Sequence, residues 1–403
     1  KMKPGSFPIY PKKPKSVTCD EFSLESFRRK LEDYLNTVFV DFAFLFTEEL
    51  FFEIIQATEE TKKFVKSCVR DYSLLQLDLA ISQPGNDGIE TIDPSESSVN
   101  IGWLLKAEQN KLNAAGDTPD DAPLYSDKTN TFHQYLDDYL GNTWTIPADF
   151  KDKYVLLFVP GLFTGLYSKI VGYFDENMNP FIDNGVTTLK FTESSTFSSI
   201  HSSCVALETK IEEITKNPEN EKKKIILIGH SKGGVDCISV LSLAQNNIAS
   251  SGVIAGCICI QSPIAGTPFA KKLGFWRSIK GMRAMNDLNY GERKAFLDLH
   301  PLNVAENKIP VFCLVSEMTT ATGLMKPNIQ KLKDECGVNC DGLVCPQDGI
   351  VPGSTVAWLF DIDHATMAFS RLNFSNTNVR YCPSALTVAA VRMIIENEQN
   401  SPE

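Results

Sequence analysis

Lys224-Ile225-Ile226-Leu227-Ile228-Gly229-His230-Ser231-Lys232-Gly233-Gly234 is the stretch on which the fold turns. The unbroken apolar run Ile225 to Ile228 suits a strand buried on both faces, since a half-exposed strand would alternate apolar with polar residues. The apolar run Val235 to Ala244 that follows reads as a buried helix. Between them a serine stands among glycines. A strand that turns sharply into a helix leaves little room beside the turn, so Gly229 and Gly233 have a steric reason to flank Ser231. The serine hydroxyl is then exposed above the sheet, near a helix N-terminus. Gly-x-Ser-x-Gly alone is short enough to arise by chance in a plain turn; its place directly after a buried strand gives it weight.

Outward from this point, short β-rich runs alternate with helical segments: Tyr154 to Val159, Val186 to Phe191, Lys224 to Ile228, Val253 to Ile260, Ile309 to Val315 and Thr355 to Ile362. The alternation predicts an α/β fold with a mostly parallel sheet of these six strands, flanked by helices on both faces. Before residue 150 the pattern is helical, over Leu24 to Asn36, Glu48 to Asp71 and Ile101 to Asn113, with polar loops at Gln83 to Ser98 and Ala114 to Asp127. The expected organisation is a helical N-terminal extension over 1–150 and a catalytic domain over 151–403.

Composition narrows the function classes. With 50 acidic against 39 basic side chains among 403 residues, the net charge of -11 opposes phosphate backbones, and the clearest basic cluster is the short Lys1 to Lys15 stretch; no nucleic-acid partner is expected. Of the 11 cysteines, Cys237, Cys257, Cys259 and Cys313 sit in apolar runs, as buried reduced thiols do. Cys336, Cys340 and Cys345 lie close together but lack the paired spacing of a zinc site, so no metal is expected. The most apolar stretch, Val38 to Ile55, is interrupted by Asp41, Glu48, Glu49 and Glu53 and is too charged to span a bilayer. The cytoplasm is the expected compartment. The alternative is a removed targeting segment, since the chain opens on Lys1 rather than methionine, with the lone sequon Asn373-Phe374-Ser375 pointing to secretion.

A serine nucleophile needs a base, an orienting acid and donors for the oxyanion. Of the five histidines, only His300 and His364 lie after the turn, and His364 follows the last strand, where the chain order serine, acid, histidine would put the base. His300 precedes any well-placed acid, and His230, adjacent to the serine, reads as a packing or hydrogen-bonding residue. Four acids lie shortly before His364. Asp361 and Asp363 are too near it in sequence to reach its ring edge, which leaves Asp341-Gly342, the preferred one, and Asp348-Gly349. The oxyanion donors expected are the backbone N–H of Lys232, directly after the serine, and that of Leu162, in Pro160-Gly161-Leu162-Phe163 after the strand from Tyr154.

These pieces resemble the lipase-like α/β-hydrolases, over residues 154–370. The stretch Gly229 to Gly234, Ser262-Pro263-Ile264-Ala265-Gly266-Thr267-Pro268, Asp341-Gly342-Leu343-Val344, Val351-Pro352-Gly353-Ser354 and Asp363-His364-Ala365 are similar to motifs of a group of uncharacterised plant and bacterial α/β-hydrolase proteins. Bacterial triacylglycerol lipases likewise carry the acid in an Asp-Gly-Leu-Val turn shortly before the histidine, and that resemblance implies Asp341 over Asp348. It departs from those lipases at Pro160-Gly161, where they have His-Gly, and in lacking clear calcium ligands.

The resemblance implies a serine hydrolase that cleaves carboxylic esters, lipid or acyl esters among them, through an acyl-enzyme and without a cofactor. The rival readings are an acyltransferase on the same residues and a non-catalytic scaffold that binds a ligand or partner. The segment 265–308 carries Phe275, Trp276, Ile279, Met282, Met285 and Leu288 among charges, as either an amphipathic lid or a pair of crossover helices would. The aromatic run Phe39, Phe42, Phe44, Phe46, Phe51 and Phe52 suits packing against the catalytic domain, with peripheral membrane contact as the second reading.

Overall fold

The chain is represented by a computed structural model that describes residues 101–115, 124–162, 172–192, 198–243, 248, 250–272, 283–301, 309–319, 326–369 and 382–400. Within these, seven strands form one sheet: β1 (Ser126–Asp127), β2 (Tyr154–Val159), β3 (Thr187–Lys190), β4 (Lys224–His230), β5 (Ile254–Ile260), β6 (Val311–Glu317) and β7 (Thr355–Phe360). Their order is β1-β7-β6-β5-β4-β2-β3, and every neighbouring pair is parallel. The six apolar runs are six of these strands. The seventh, β1, is two exposed polar residues and has no hydrophobic signature.

The longer helices are α1 (Trp103–Ala115), α2 (Thr129–Leu140), α3 (Asp175–Asp183), α4 (Ile200–Lys216), α5 (Lys232–Leu243), α6 (Tyr290–Leu299), α7 (Lys326–Cys336) and α8 (Pro383–Asn400). Strand side chains alternate between two faces. Val155, Leu157, Val159, Ile225, Leu227, Cys257, Cys259, Val311 and Cys313 share one core with Cys204, Leu207 and Ile211 of α4 and Val235, Ile238 and Leu241 of α5. Alternate residues point the other way: Phe312 stacks on Phe132 of α2 at 5.6 Å, and Phe158 meets Phe174, just before α3, at 5.1 Å. There α8 packs on β5 and β6, with α2 and α3 against it. In α4 the buried residues recur every three or four positions, and Ser199 caps its first turn by accepting the Ser202 N–H at 3.2 Å.

Residues 126–140 lie before the boundary expected near 150, yet they supply an edge strand and a helix to this layered unit. The expected helices Leu24 to Asn36 and Glu48 to Asp71 and the aromatic run Phe39 to Phe52 lie outside the described residues, as do Phe275, Trp276, Ile279 and Met282 of the lid segment. Leu288, from the same segment, is buried in the core with Ile264 and Ala270. Among the described residues no helix is long and apolar enough to cross a membrane.

Because all the strands run one way, their C-terminal ends lie at one edge of the sheet. The loops after β2, β4 and β7 leave from that edge and carry Leu162, Ser231 and His364. The connection from α7 to β7 brings Asp341 back to it, where the Met318 N–H, just after β6, donates to the Cys340 carbonyl at 3.0 Å.

Candidate active site

Ser231 sits between the last residue of β4 and the first of α5 with φ +56°, a left-handed conformation rare for a side-chain-bearing residue. The glycines around it are there for space. A Cβ on Gly233 would stand 1.9 Å from the carbonyl oxygen of Val159, and one on Gly229 would stand 2.4 Å from the backbone of Gly234. The turn closes only with hydrogen at both places. Ser231 is held by its own N–H, which donates to the Ile260 carbonyl at 2.9 Å, and by its carbonyl, which accepts from Gly234 at 3.1 Å.

His364 and Asp341 come together. Nδ1 of His364 is 2.8 Å from Oδ2 of Asp341, and both side chains are buried. The second carboxylate oxygen accepts the N–H groups of Leu343 and Val344 at 2.9 and 2.8 Å, so the Asp-Gly-Leu-Val turn grips its own aspartate. The His364 N–H also donates to the Asp341 carbonyl at 2.9 Å. Nε2 of His364 is buried without a hydrogen-bond partner among the described residues. The ring lies 4.8 Å from that of His230, next to Ser231 in sequence.

The other candidates are engaged elsewhere. Asp348 accepts the Gly102 N–H at 2.8 Å and the Tyr290 hydroxyl at 2.7 Å, and burial pushes its carboxyl up to about 7. Asp361 accepts from the N–H and hydroxyl of Thr319, and Asp363 from Ala365 and Thr366. His300 ends α6. Cys336, Cys340 and Cys345 gather with Ile101 and Leu332, and among the described residues no group of three or more His, Cys, Asp or Glu side chains is arranged to hold a metal ion.

Two backbone donors stand near the serine. A Cβ added to Gly161 would lie 2.8 Å from that of Ser231, so the β2 loop runs against the turn, with Leu162 the next residue along. Neither the Leu162 nor the Lys232 N–H has a backbone acceptor among the described residues. The Lys232 side chain turns inward, its ammonium 2.8 and 2.9 Å from the carboxylate oxygens of Asp236 and 2.9 Å from the Ser203 hydroxyl. Burial pushes the Asp236 carboxyl up, against the pull of the lysine.

Residues 124–284 match the family described as "Protein of unknown function (DUF1749)", and no curated protein matches the sequence. Among solved structures, the metagenomic carboxyl esterase MGS0156 superposes with a TM-score of 0.54 at 19% identity, over 68% of this chain and 93% of that one. This is the α/β-hydrolase fold. The Bacillus licheniformis lipase BlEst2 in mature form matches at 23% identity and TM-score 0.43, over 55% of this chain and 87% of its own. Lipase 1 from Pelosinus fermentans matches at 13% and 0.43, over 62% and 100%.

On this fold, three polar residues near the turn, Asp236, Tyr173 and Gln261, have partners of their own. Asp236 was legible in the sequence, because Lys232 and Asp236 stand four apart on one helix face. Tyr173 and Gln261 carried no signal, since their partners are 57 and 102 residues away.

Proposed function

We propose that the chain is a serine hydrolase that cleaves carboxylic esters through an acyl-enzyme. The observation that carries this reading is the buried His364–Asp341 pair, held by two further backbone N–H groups and presenting, in the neighbourhood of Ser231, an Nε2 that has no hydrogen-bond partner among the described residues. Asp341 bonded at Nδ1 puts that nitrogen's proton toward the carboxylate and leaves Nε2 as the basic one.

Ser231 Oγ attacks the ester carbonyl as His364 Nε2 takes its proton. The oxyanion that forms is met by the Leu162 and Lys232 backbone N–H groups. His364 then gives the proton to the departing alcohol, and a water repeats the sequence to free the acid. The imidazolium that exists between these transfers is stabilised by the Asp341 side chain bonded at Nδ1. No cofactor enters any step. Carboxylic esters are the first substrates to try, the class named for the metagenomic neighbour, and acyl or lipid esters fall within it.

The test is a fluorophosphonate probe, with the labelled residue located by mass spectrometry, alongside hydrolysis of p-nitrophenyl esters. Labelling is expected at Ser231, and Ser231→Ala should lower kcat by roughly four or more orders of magnitude while the protein stays folded. A Ser231→Ala variant that hydrolyses esters at the wild-type rate sinks the assignment.

A further inference from the structure

Tyr173 is fully buried beside the serine turn, and the chemistry above gives it no part. Its hydroxyl oxygen accepts the Gly161 backbone N–H at 2.8 Å and lies 2.6 Å from Nδ1 of His230. The other nitrogen of that ring, Nε2, lies 2.9 Å from the His364 carbonyl oxygen and 3.3 Å from Oε1 of Gln261. Gln261 is oriented in turn, because its amide nitrogen donates to Ser316 and to the Asp363 carbonyl.

The ends of this chain dictate where its protons are. A backbone carbonyl can only accept, so Nε2 of His230 carries a proton. Nδ1 of a neutral ring must then accept, and the Tyr173 hydroxyl supplies that proton while its oxygen takes the Gly161 N–H. A charged His230 would aim a second donor at the phenol and leave the phenol proton without an acceptor. Burial, followed by the nearness of His364, holds the His230 ring well below the ordinary histidine range, which agrees with a neutral ring.

The series Gly161 N–H, Tyr173 O–H, His230, His364 C=O therefore joins three loops: that of Leu162, that of Ser231 and that of His364. Packing reinforces it. Tyr173 forms an antiparallel bridge with Phe369, their rings meet edge-on at 4.4 Å, Phe174 donates its N–H to Ala368 at 2.8 Å, and Asn177 donates to the Met367 carbonyl at 2.9 Å.

We infer that Tyr173 and His230 are positioning residues: they commit the Gly161 N–H, leaving Leu162 as the oxyanion donor of its loop, and hold the His364 backbone in register with Ser231. This rests on the reading of Ser231 and His364 as nucleophile and base. Neither residue touches the reacting atoms.

Tyr173→Phe deletes one oxygen and keeps the ring. It should lower kcat for a p-nitrophenyl ester by roughly ten- to a hundredfold, as a small misplacement of reacting groups does, with KM unchanged. Fluorophosphonate labelling of Ser231 should slow by the same factor. Nitrogen-15 NMR of the wild-type protein at neutral pH should show His230 protonated at Nε2 and bare at Nδ1. The opposite tautomer or a charged ring overturns the inference even where Tyr173→Phe does not fold. An active wild type whose kcat survives Tyr173→Phe overturns this inference alone. A wild type that neither hydrolyses esters nor labels at Ser231 removes the underlying reading, and this one with it.

Discussion

Asp341 and Asp348 are each followed by glycine and lie on one connection between α7 and β7, yet they face different duties. Asp341 spends one oxygen on two backbone N–H groups and turns the other to His364. An amide at that position could hold the ring only in the wrong tautomer, so Asp341→Asn is expected to lower kcat by roughly four orders of magnitude. Asp348 is tied to Gly102 and Tyr290, and Asp348→Asn should change kcat by less than about tenfold, since it leaves the His364 partner in place. Turnover of a p-nitrophenyl ester by the two variants decides the matter, and equal losses would leave His364 without an assigned acid.

Among the elements, α1 is fastened to the sheet unit through the same Asp348. Gly102, just before α1, donates its N–H to the carboxylate, Trp103 of α1 donates its ring N–H to the Ala265 carbonyl at 2.7 Å, and Tyr290 at the start of α6 completes the joint. The folded carboxyl titrates at about 7 rather than the ordinary 3.8, chiefly because it is buried. Between those pH values the folded chain holds a proton that the unfolded chain has released, so this group favours folding at low pH and the advantage is lost as pH rises through about 7, at roughly 1.4 kcal/mol per pH unit at most. Asp348→Asn has no such proton, and relative to wild type it should be more stable at pH 8 than at pH 5. Thermal unfolding across that range is the measurement; parallel profiles for the two proteins would show that Asp348 is not the titrating joint.

On the scale of the whole molecule, the sheet and its covering helices draw on residues well before 150. Phe132 and Leu136 of α2 are completely buried, β1 pairs with β7, and Asp138 meets Arg392 of α8 at 2.8 Å. Loss of the Phe132 side chain alone should cost about 3–5 kcal/mol, a large part of the stability of an ordinary domain. A fragment of residues 151–403 is therefore expected to lack the cooperative thermal transition of the full chain, as followed by circular dichroism. A sharp transition in that fragment would support a domain boundary near 150.

What the sequence determined by itself is local. The run Ile225 to Ile228 could satisfy its apolar side chains only with cover on both faces, and the glycines around Ser231 answer contacts made within a few residues or with the adjoining strand. Those two features are enough for an α/β sheet with a serine at the end of one strand. Tertiary structure decided what depends on register and strand order. β1 became a strand because β7 offered it a free edge, although Ser126 and Asp127 have no apolar pattern of their own. Asp341 and not Asp348 meets His364 because of where the connection from β6 to β7 folds back; the Asp-Gly-Leu-Val resemblance favoured Asp341, but the two Asp-Gly pairs alone carry no trace of that fold. The His230 ring joins Tyr173 to the His364 carbonyl across separations of 57 and 134 residues, and no periodicity or spacing encodes such a contact: it exists only once parallel strands bring their C-terminal ends to one edge.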